Sequence, residues 1–260
     1  MTKLVDKLRK ISMGETHRMG FGNVQAAAAK IPAIAIIASI PRPDVGLAQM
    51  ALASEADAIL IQVSDLSSES LLLQETVKAA GDSPCGVRLA APLLEDVGKL
   101  TAAGADFLVL EAQTAPSSIL SKEEIGRVIA IDPYLEDSLL RAIDRLAIDA
   151  VILELKQGNE EFLTVREFLA CRRIVDMVRK PLILVVSPKL STEDLVSIRD
   201  LGIESLLVDF VGPSSQALMS RLRAAIAGLP PRRKAKESRD VMLPRQAFPS
   251  KASEPEDDEL

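Results

Sequence analysis

The segment GADFLVLE at residues 104–111 is the first indication of the architecture, because its pattern recurs: an acid after a small or apolar residue, then an apolar run. Its counterparts are EADAILIQ at 55–62, AIDAVILE at 147–154 and GIESLLVD at 202–209. Short apolar runs of this kind are typical of parallel strands covered by helices. A strand-helix-strand-helix unit repeated about four times is the pattern of a closed eight-stranded barrel.

Four further apolar runs bring the number of predicted strands to eight. The predicted strands are 33–39, 58–63, 86–90, 107–112, 128–131, 151–155, 182–186 and 205–210. Helical segments are predicted at 68–80, 93–103, 136–146, 161–178, 192–201 and 215–227, with room for only a short helix at 118–125. The sequence therefore predicts an α/β protein, a (β/α)₈ TIM barrel at 31–229. A doubly wound open sheet is the competitor. It is disfavoured because Pro41-Arg42-Pro43, and no glycine-rich nucleotide loop, follows the first strand.

Two flanks lie outside the predicted barrel. Residues 1–30 form an N-terminal helix and connector, and Leu4, Val5, Leu8 and Ile11 at helical spacing predict a helix that plugs the barrel bottom. Residues 230–260 are rich in proline and charge, which predicts a disordered tail. A second copy or a protein partner could instead bind through either flank.

Composition excludes several classes of function. A net charge of -6 with 6 Phe, 1 Tyr and no Trp argues against nucleic-acid binding. One histidine and two cysteines remove most histidine catalysis, most zinc sites and a disulfide framework. The longest apolar run, 31–40, is far short of the roughly 20 residues of a membrane span, and the N-terminus is not a signal peptide. We expect a cytoplasmic protein without membrane contact.

The repeat also predicts which side chains face the barrel axis. Strand side chains alternate between faces, and four side chains from alternate strands build each interior layer. Counting five residues from each repeated acid gives a layer of Gln62, Glu111, Glu154 and Asp209. Ser64, Gln113 and Lys156 should lie above that layer, at the C-terminal mouth.

The odd-numbered strands can be aligned on the prolines that precede strands one, three and seven. The alignment predicts Ile36, Arg88 and Val185 facing inward, followed by Ala38, Ala90 and Ser187. Asp132 should reach the mouth from strand five. We therefore assign substrate binding to the polar side chains among these and their neighbours: Arg88, Gln62, Gln113, Asp132 and Ser187.

Charged side chains in a barrel interior need an explanation, since burying an unpaired charge costs several kcal/mol. The carboxylates of Glu111, Glu154 and Asp209 must share protons, pair with Arg88 and Lys156, or hold a cation. One hypothesis is an ion-pair network with no chemistry. The other is an active site, because the active sites of this fold lie at the C-terminal mouth.

Glu154-Leu155-Lys156 resembles the end of strand six in class I aldolases and related lyases of this fold. The resemblance implies Lys156 as a Schiff-base nucleophile and Glu154 as a proton relay. Glu111 and Asp209 complete the set of catalytic candidates. A salt-bridged, non-catalytic Lys156 is the alternative.

The carboxylates also resemble the ligand sets of metal-dependent lyases that act on 2-oxo acids. Glu111, Glu154 and Asp209 offer oxygen ligands suited to Mg²⁺ or Mn²⁺. That resemblance implies a metal-stabilised enolate, with Arg88 on the substrate carboxylate.

Residues 180–203 are similar to the last quarter of phosphate-binding barrels, including the tryptophan-biosynthesis and flavin-dependent ones. Ser187-Pro188-Lys189 and Asp209 stand where those families have glycine-rich turns, which disfavours phosphate or flavin binding. The layout of 31–228 resembles the aldolase and tryptophan-synthase-alpha barrels. It implies a carbon–carbon lyase or isomerase acting on a small carboxylate or carbonyl compound. The alternative is a non-catalytic barrel that serves as a binding or scaffold subunit.

Overall fold

A computed structural model describes residues 2–13, 32–155, 163–186 and 190–229. Within these ranges eight parallel strands pair in sequence order, and the eighth pairs with the first to close a barrel. The strands are β1 Ala35–Ile40, β2 Ala58–Val63, β3 Cys85–Leu89, β4 Phe107–Glu111, β5 Gly126–Ile131, β6 Ala150–Leu153, β7 Leu182–Val185 and β8 Ser205–Asp209. The predicted (β/α)₈ TIM barrel is confirmed.

Helices cover the outside of the barrel. They are α2 Val45–Ala53, α3 Leu66–Ala80, α4 Leu94–Ala102, α5 Asp137–Arg145, α6 Val165–Met177, α7 Thr192–Leu201 and α8 Pro213–Ala227, preceded in the chain by α1 Lys3–Met13. A 3₁₀ helix, Ser117–Ser121, stands between β4 and β5, as the short segment there predicted. Side-chain caps fix several helix starts: the Asp44 carboxylate accepts a hydrogen bond from the Leu47 N–H at 3.0 Å.

The repeated acids hold the N-terminal end of the barrel together. Three of them accept a hydrogen bond from the backbone N–H at the start of the preceding odd-numbered strand, at 2.8–2.9 Å. The pairs are Asp57 with Ile36, Asp149 with Arg127 and Glu204 with Leu182. The repeat is therefore a structural device that satisfies strand N–H groups at the barrel bottom.

Asp106 departs from this pattern and serves α1 instead. Its two carboxylate oxygens accept hydrogen bonds from the N–H groups of Lys3 and Leu4, each at 2.9 Å. These are among the N–H groups that a helix start leaves without an intrahelical partner. Asp106 therefore fixes the start of α1 at the bottom of the barrel.

The predicted plug is confirmed. Leu4, Val5, Leu8 and Ile11 are all buried, and three of them pack into the barrel-interior cluster together with Phe107. Since the apolar face of α1 is buried inside this chain, it is not available to a second copy or a partner.

Strand alternation separates two apolar clusters. On the even strands the predicted division holds: Leu60, Val109, Ile152 and Leu207 face the interior. Their neighbours Ile61, Leu110, Leu153 and Val208 pack against the helices.

The alignment of the odd strands on proline is wrong for β1. Ile36 and Ala38 pack toward the helices, whereas Ala35 and Ile37 face the interior. The reason lies in the sheet register: Ile37 and Val185 are both in register with Leu207, but Ile37 follows Pro32 by five positions and Val185 follows Pro181 by four. The shift by an odd number of positions exchanges the two faces of a strand.

The connector part of the predicted flank 1–30, which follows α1, and the predicted disordered tail at 230–260 lie outside the described residues. Among the residues that are described, no helix is both long enough and apolar enough to cross a membrane.

Candidate functional site

A ring of polar side chains marks the C-terminal mouth of the barrel. Gln62, Glu111, Glu154 and Asp209 each follow an interior apolar residue by two positions. Alternation therefore directs them to the barrel axis, one layer above the apolar interior.

Arg88 of β3 joins two members of this layer. Its Nη2 donates a hydrogen bond to Oε1 of Glu111 at the end of β4, and its Nη1 lies 2.5 Å from Oε1 of Glu154, just after β6. The prediction that Arg88 points inward is thus confirmed, and one guanidinium holds carboxylates from two strands. Both ion pairs are charge-assisted, the stronger class of hydrogen bond.

Burial of the triad is partial. The side chains of Arg88, Glu111 and Glu154 are 25%, 28% and 36% exposed, so that each remains accessible from the mouth. Partial burial lowers the pKa of Arg88, and this is the largest single effect. The contacts with Glu154 and then with Glu111 raise it, and together they outweigh burial, so that the pKa of Arg88 is raised. The guanidinium therefore stays cationic, and the triad carries a formal charge of about −1.

A small residue on β5 leaves room for this pairing. Glu111 lies in register with Ala130, and the Glu154 N–H donates to the Ile131 carbonyl at 3.2 Å. Ala130 faces the interior on β5, the strand between β4 and β6, and there it contributes only a methyl group between the two glutamates. Arg88 can therefore reach across from β3.

A second polar group lies on the other side of the mouth. Gln62 Nε2 of β2 donates a hydrogen bond to Ser39 Oγ of β1 at 3.1 Å, and Ser39 is in register with Asp209 of β8. Ser39 is 3% exposed, whereas Gln62 and Asp209 are exposed. The sequence reasoning missed Ser39 because it placed Ala38 inward. The alternation Ala35, Ile37, Ser39 is the signal that would have found it.

Two of the other predicted substrate-binding residues lie near the rim. Gln113 is exposed in the turn after β4, and that turn is fixed by the Thr114 hydroxyl, which donates to the Ala90 carbonyl at 2.9 Å. Asp132 follows β5 and accepts a hydrogen bond from the Tyr134 N–H at 2.8 Å. Lys156 and Ser187 lie outside the described residues.

The described residues do not support the divalent-cation hypothesis. Within the described ranges, no three histidine, cysteine, aspartate or glutamate side chains cluster closely enough to hold a metal. Glu111 and Glu154, two of the expected ligands, are already neutralised in part by Arg88. A divalent cation between them would have to displace the guanidinium.

Anion binding at the last helix is also poorly supported. Helix α8 begins with Pro213, which has no N–H, and the N–H groups of Ser215 and Gln216 both donate to the Gly212 carbonyl. The Val211 N–H donates to the Ser215 hydroxyl at 3.1 Å. Few N–H groups remain here for a phosphate.

No protein-family model matches this sequence, and no curated protein matches it. Among solved structures, the chain is similar to a single-residue variant of the tryptophan synthase alpha-subunit of Pyrococcus furiosus. The TM-score is 0.59 and the identity 16%, over 76% of this chain and 99% of that one. It is also similar to a chain of the tryptophan synthase complex of Pyrococcus furiosus, with a TM-score of 0.57 and 16% identity, over 75% of this chain and 98% of that one. Similarity at this identity shows the fold alone: a (β/α)₈ barrel with the layout of the tryptophan synthase alpha-subunit.

Proposed function

We propose that this chain is a small-molecule enzyme, a carbon–carbon lyase or isomerase that acts on a carbonyl or carboxylate compound at the barrel mouth. The observation that carries the proposal is the Arg88 guanidinium held between Glu111 and Glu154 at the C-terminal end of the strands. This is the end at which barrels of this fold place their chemistry.

The proposed chemistry begins at Lys156, two residues after Glu154. Its amine adds to the substrate carbonyl carbon, and loss of water leaves an iminium ion. A carboxylate then accepts the proton of a hydroxyl on the β-carbon, the Cα–Cβ bond breaks, and its electron pair forms the enamine. Protonation of the enamine carbon and hydrolysis release the second product and restore the amine.

Glu154 and Glu111 are the acid–base groups in this scheme, with Asp209 on the facing side of the mouth. Arg88 keeps both glutamates in fixed positions through Nη1 and Nη2. Two of its five N–H groups are used in this way, and the remaining ones can donate to a substrate carbonyl or carboxylate oxygen.

The test is reductive trapping of the full chain with sodium cyanoborohydride and a panel of pyruvate, glycolaldehyde and glyceraldehyde. Intact mass and peptide mapping should show one adduct, on Lys156. The Lys156→Arg variant should lose it. Lys78→Arg is the matched control, because Lys78 is an exposed lysine on α3, and this variant should keep the adduct. Labelling spread evenly over surface lysines would refute the Schiff-base mechanism.

A non-catalytic barrel, serving as a binding or scaffold subunit, is the competing function. The observation that favours it is that Arg88 already pairs with both glutamates, which is what a purely structural network requires. A Glu154→Gln variant separates the two. The enzyme proposal requires slower trapping at Lys156, whereas a structural network predicts an unchanged trapping rate.

A further inference from the structure

We propose that Ser39, Gln62 and Asp209 form a subsite for the hydroxyl groups of an unphosphorylated polyhydroxy carbonyl compound. The inference rests on the proposed function, since it names the class of substrate that the mouth takes. Its evidence is independent of Lys156, Glu111 and Glu154.

The three side chains meet on adjacent strands. β8, β1 and β2 are neighbours in the closed barrel, and Ser39 of β1 is in register with Asp209 of β8. Gln62 of β2 reaches back to Ser39 through a 3.1 Å hydrogen bond. All three continue the interior alternation of their strands, so they face the same space.

Unused hydrogen-bonding capacity distinguishes this group from the Arg88 triad. Ser39 is 3% exposed and accepts from Gln62, but no described residue accepts its own hydroxyl hydrogen. Within the described ranges its hydroxyl hydrogen is therefore available to a ligand. Within the same described part of the chain, no hydrogen bond or ion pair joins the Asp209 side chain to another residue.

The hydrogen-bonding groups left unpaired within the described ranges match the chemistry of a hydroxyl. Ser39 offers a donor, Asp209 offers acceptors, and the Gln62 amide offers one of each beyond its bond to Ser39. A hydroxyl group donates and accepts at once, so two neighbouring hydroxyls of a polyol can use all three side chains. A phosphate or carboxylate only accepts, and it would meet the negative charge of Asp209.

Phosphate is disfavoured by a separate feature of the same strand end. Pro213 at the start of α8 has no N–H, and the N–H groups of Ser215 and Gln216 are used by Gly212. The position at which an anion could be bound by backbone N–H groups is therefore largely closed.

The subsite adjoins the proposed chemistry. Gln62 is in register with Arg88, which in turn holds Glu111 and Glu154. A short chain of carbons can therefore place its carbonyl group at the glutamates while its hydroxyls reach β1 and β8.

Saturation-transfer NMR on the full chain tests the proposal, with dihydroxyacetone, erythrose and ribose as probes and the phosphate ester of each as its phosphorylated counterpart. We expect at least one unphosphorylated probe to bind, and to bind more tightly than its phosphate ester. Gln62→Leu and Asp209→Asn should each weaken that binding about tenfold or more. Gln49→Leu, an exposed glutamine on α2, should leave it unchanged.

Three outcomes would overturn the subsite: no probe binds, no probe binds more tightly than its phosphate ester, or both subsite variants keep the parent affinity. Lys156→Arg separates this inference from the proposed function. Polyol binding that persists in Lys156→Arg, with no adduct on the parent, would overturn the lyase alone. Trapping of pyruvate on the parent with no polyol binding would overturn the subsite alone.

Discussion

The ring of Phe107 on β4 occupies the space beside Gly86 on β3 that the Cβ of any other residue would fill. A Cβ built at Gly86 would overlap three ring carbons of Phe107. Gly86 and Phe107 are register partners, and Phe107 is 1% exposed in the cluster that also takes Leu4 and Leu8 of α1. The lower interior of the barrel therefore depends on a glycine for its largest side chain.

Gly86→Ala should destabilise the protein by about 1–3 kcal/mol, because the added methyl overpacks a filled interior. Urea unfolding would measure the loss. Gly98→Ala on α4 is the matched control: a Cβ there meets nothing within 4 Å, and alanine favours a helix, so this change should stabilise by roughly 0.5–1 kcal/mol. Adding Phe107→Leu to Gly86→Ala should recover part of the loss, and equal losses with and without Phe107 would contradict the overlap.

The four-fold repeat was sufficient to predict the even strands, because each acid has a fixed distance to its strand. The same acid that starts the count, such as Asp149, also accepts the N–H of the neighbouring strand, so its position is physically constrained. Proline gives no such constraint. Its side chain has no polar atom that could pair with a neighbouring strand, and the spacing from Pro32 to Ile37 is one position longer than that from Pro181 to Val185, so the inward Ser39 was missed.

Leu8→Ala should destabilise the protein by about 2–5 kcal/mol, the usual cost of a cavity at a fully buried leucine. The loss should appear as earlier urea unfolding and as faster proteolysis near the N-terminus, because α1 is held by its apolar face. Lys10→Ala, at an exposed position of the same helix, is the control and should change stability by less than about 0.5 kcal/mol. Wild-type stability in Leu8→Ala would show that α1 does not contribute to the barrel.

The two thiols should make stability fall at alkaline pH. Burial raises the pKa of Cys85 and Cys171 to about 12, with smaller contributions from Asp106 and Glu167 respectively. In the unfolded state the thiols lose their protons near the ordinary thiol pKa of 9.0, whereas in the folded state they keep them up to about pH 12. The contribution of the neutral thiols to the free energy of unfolding is therefore fully present below pH 9 and is lost between pH 9 and about 12.

Urea unfolding at pH 8 and pH 10.5 measures this effect. Replacing both cysteines with alanine should reduce the difference in stability between the two pH values. A thiol reagent at pH 8 should label the folded protein roughly a thousandfold more slowly than the unfolded chain, given about three pKa units. Rapid labelling of the folded parent would contradict the burial of the thiols.

Composition and alternation predicted that carboxylates and Arg88 share the mouth, but not which of them pair. Which groups pair depends on side-chain length and on the space between the strands. Arg88 is long enough to contact Glu111 one layer nearer the mouth, and the small side chain of Ala130 leaves space for its contact with Glu154. Asp209 lies on the opposite side of the mouth, in register with Ser39, and Arg88 forms its ion pairs with Glu111 and Glu154 instead. Strand order and side-chain size decide these contacts, and neither is visible in a count of charges.

Arg88→Met should destabilise the protein at pH 7 by about 1–3 kcal/mol, because Glu111 and Glu154 then face each other without a shared cation. Breaking a fully buried pair costs about 3–5 kcal/mol, and the loss here is smaller because these side chains are 25–36% exposed. Adding Glu111→Gln and Glu154→Gln to Arg88→Met should restore most of the stability, since the repulsion is removed along with the cation. Equilibrium urea unfolding of the parent, single and triple variants measures both steps. A triple variant no more stable than Arg88→Met would show that Arg88 contributes through packing rather than through its charge.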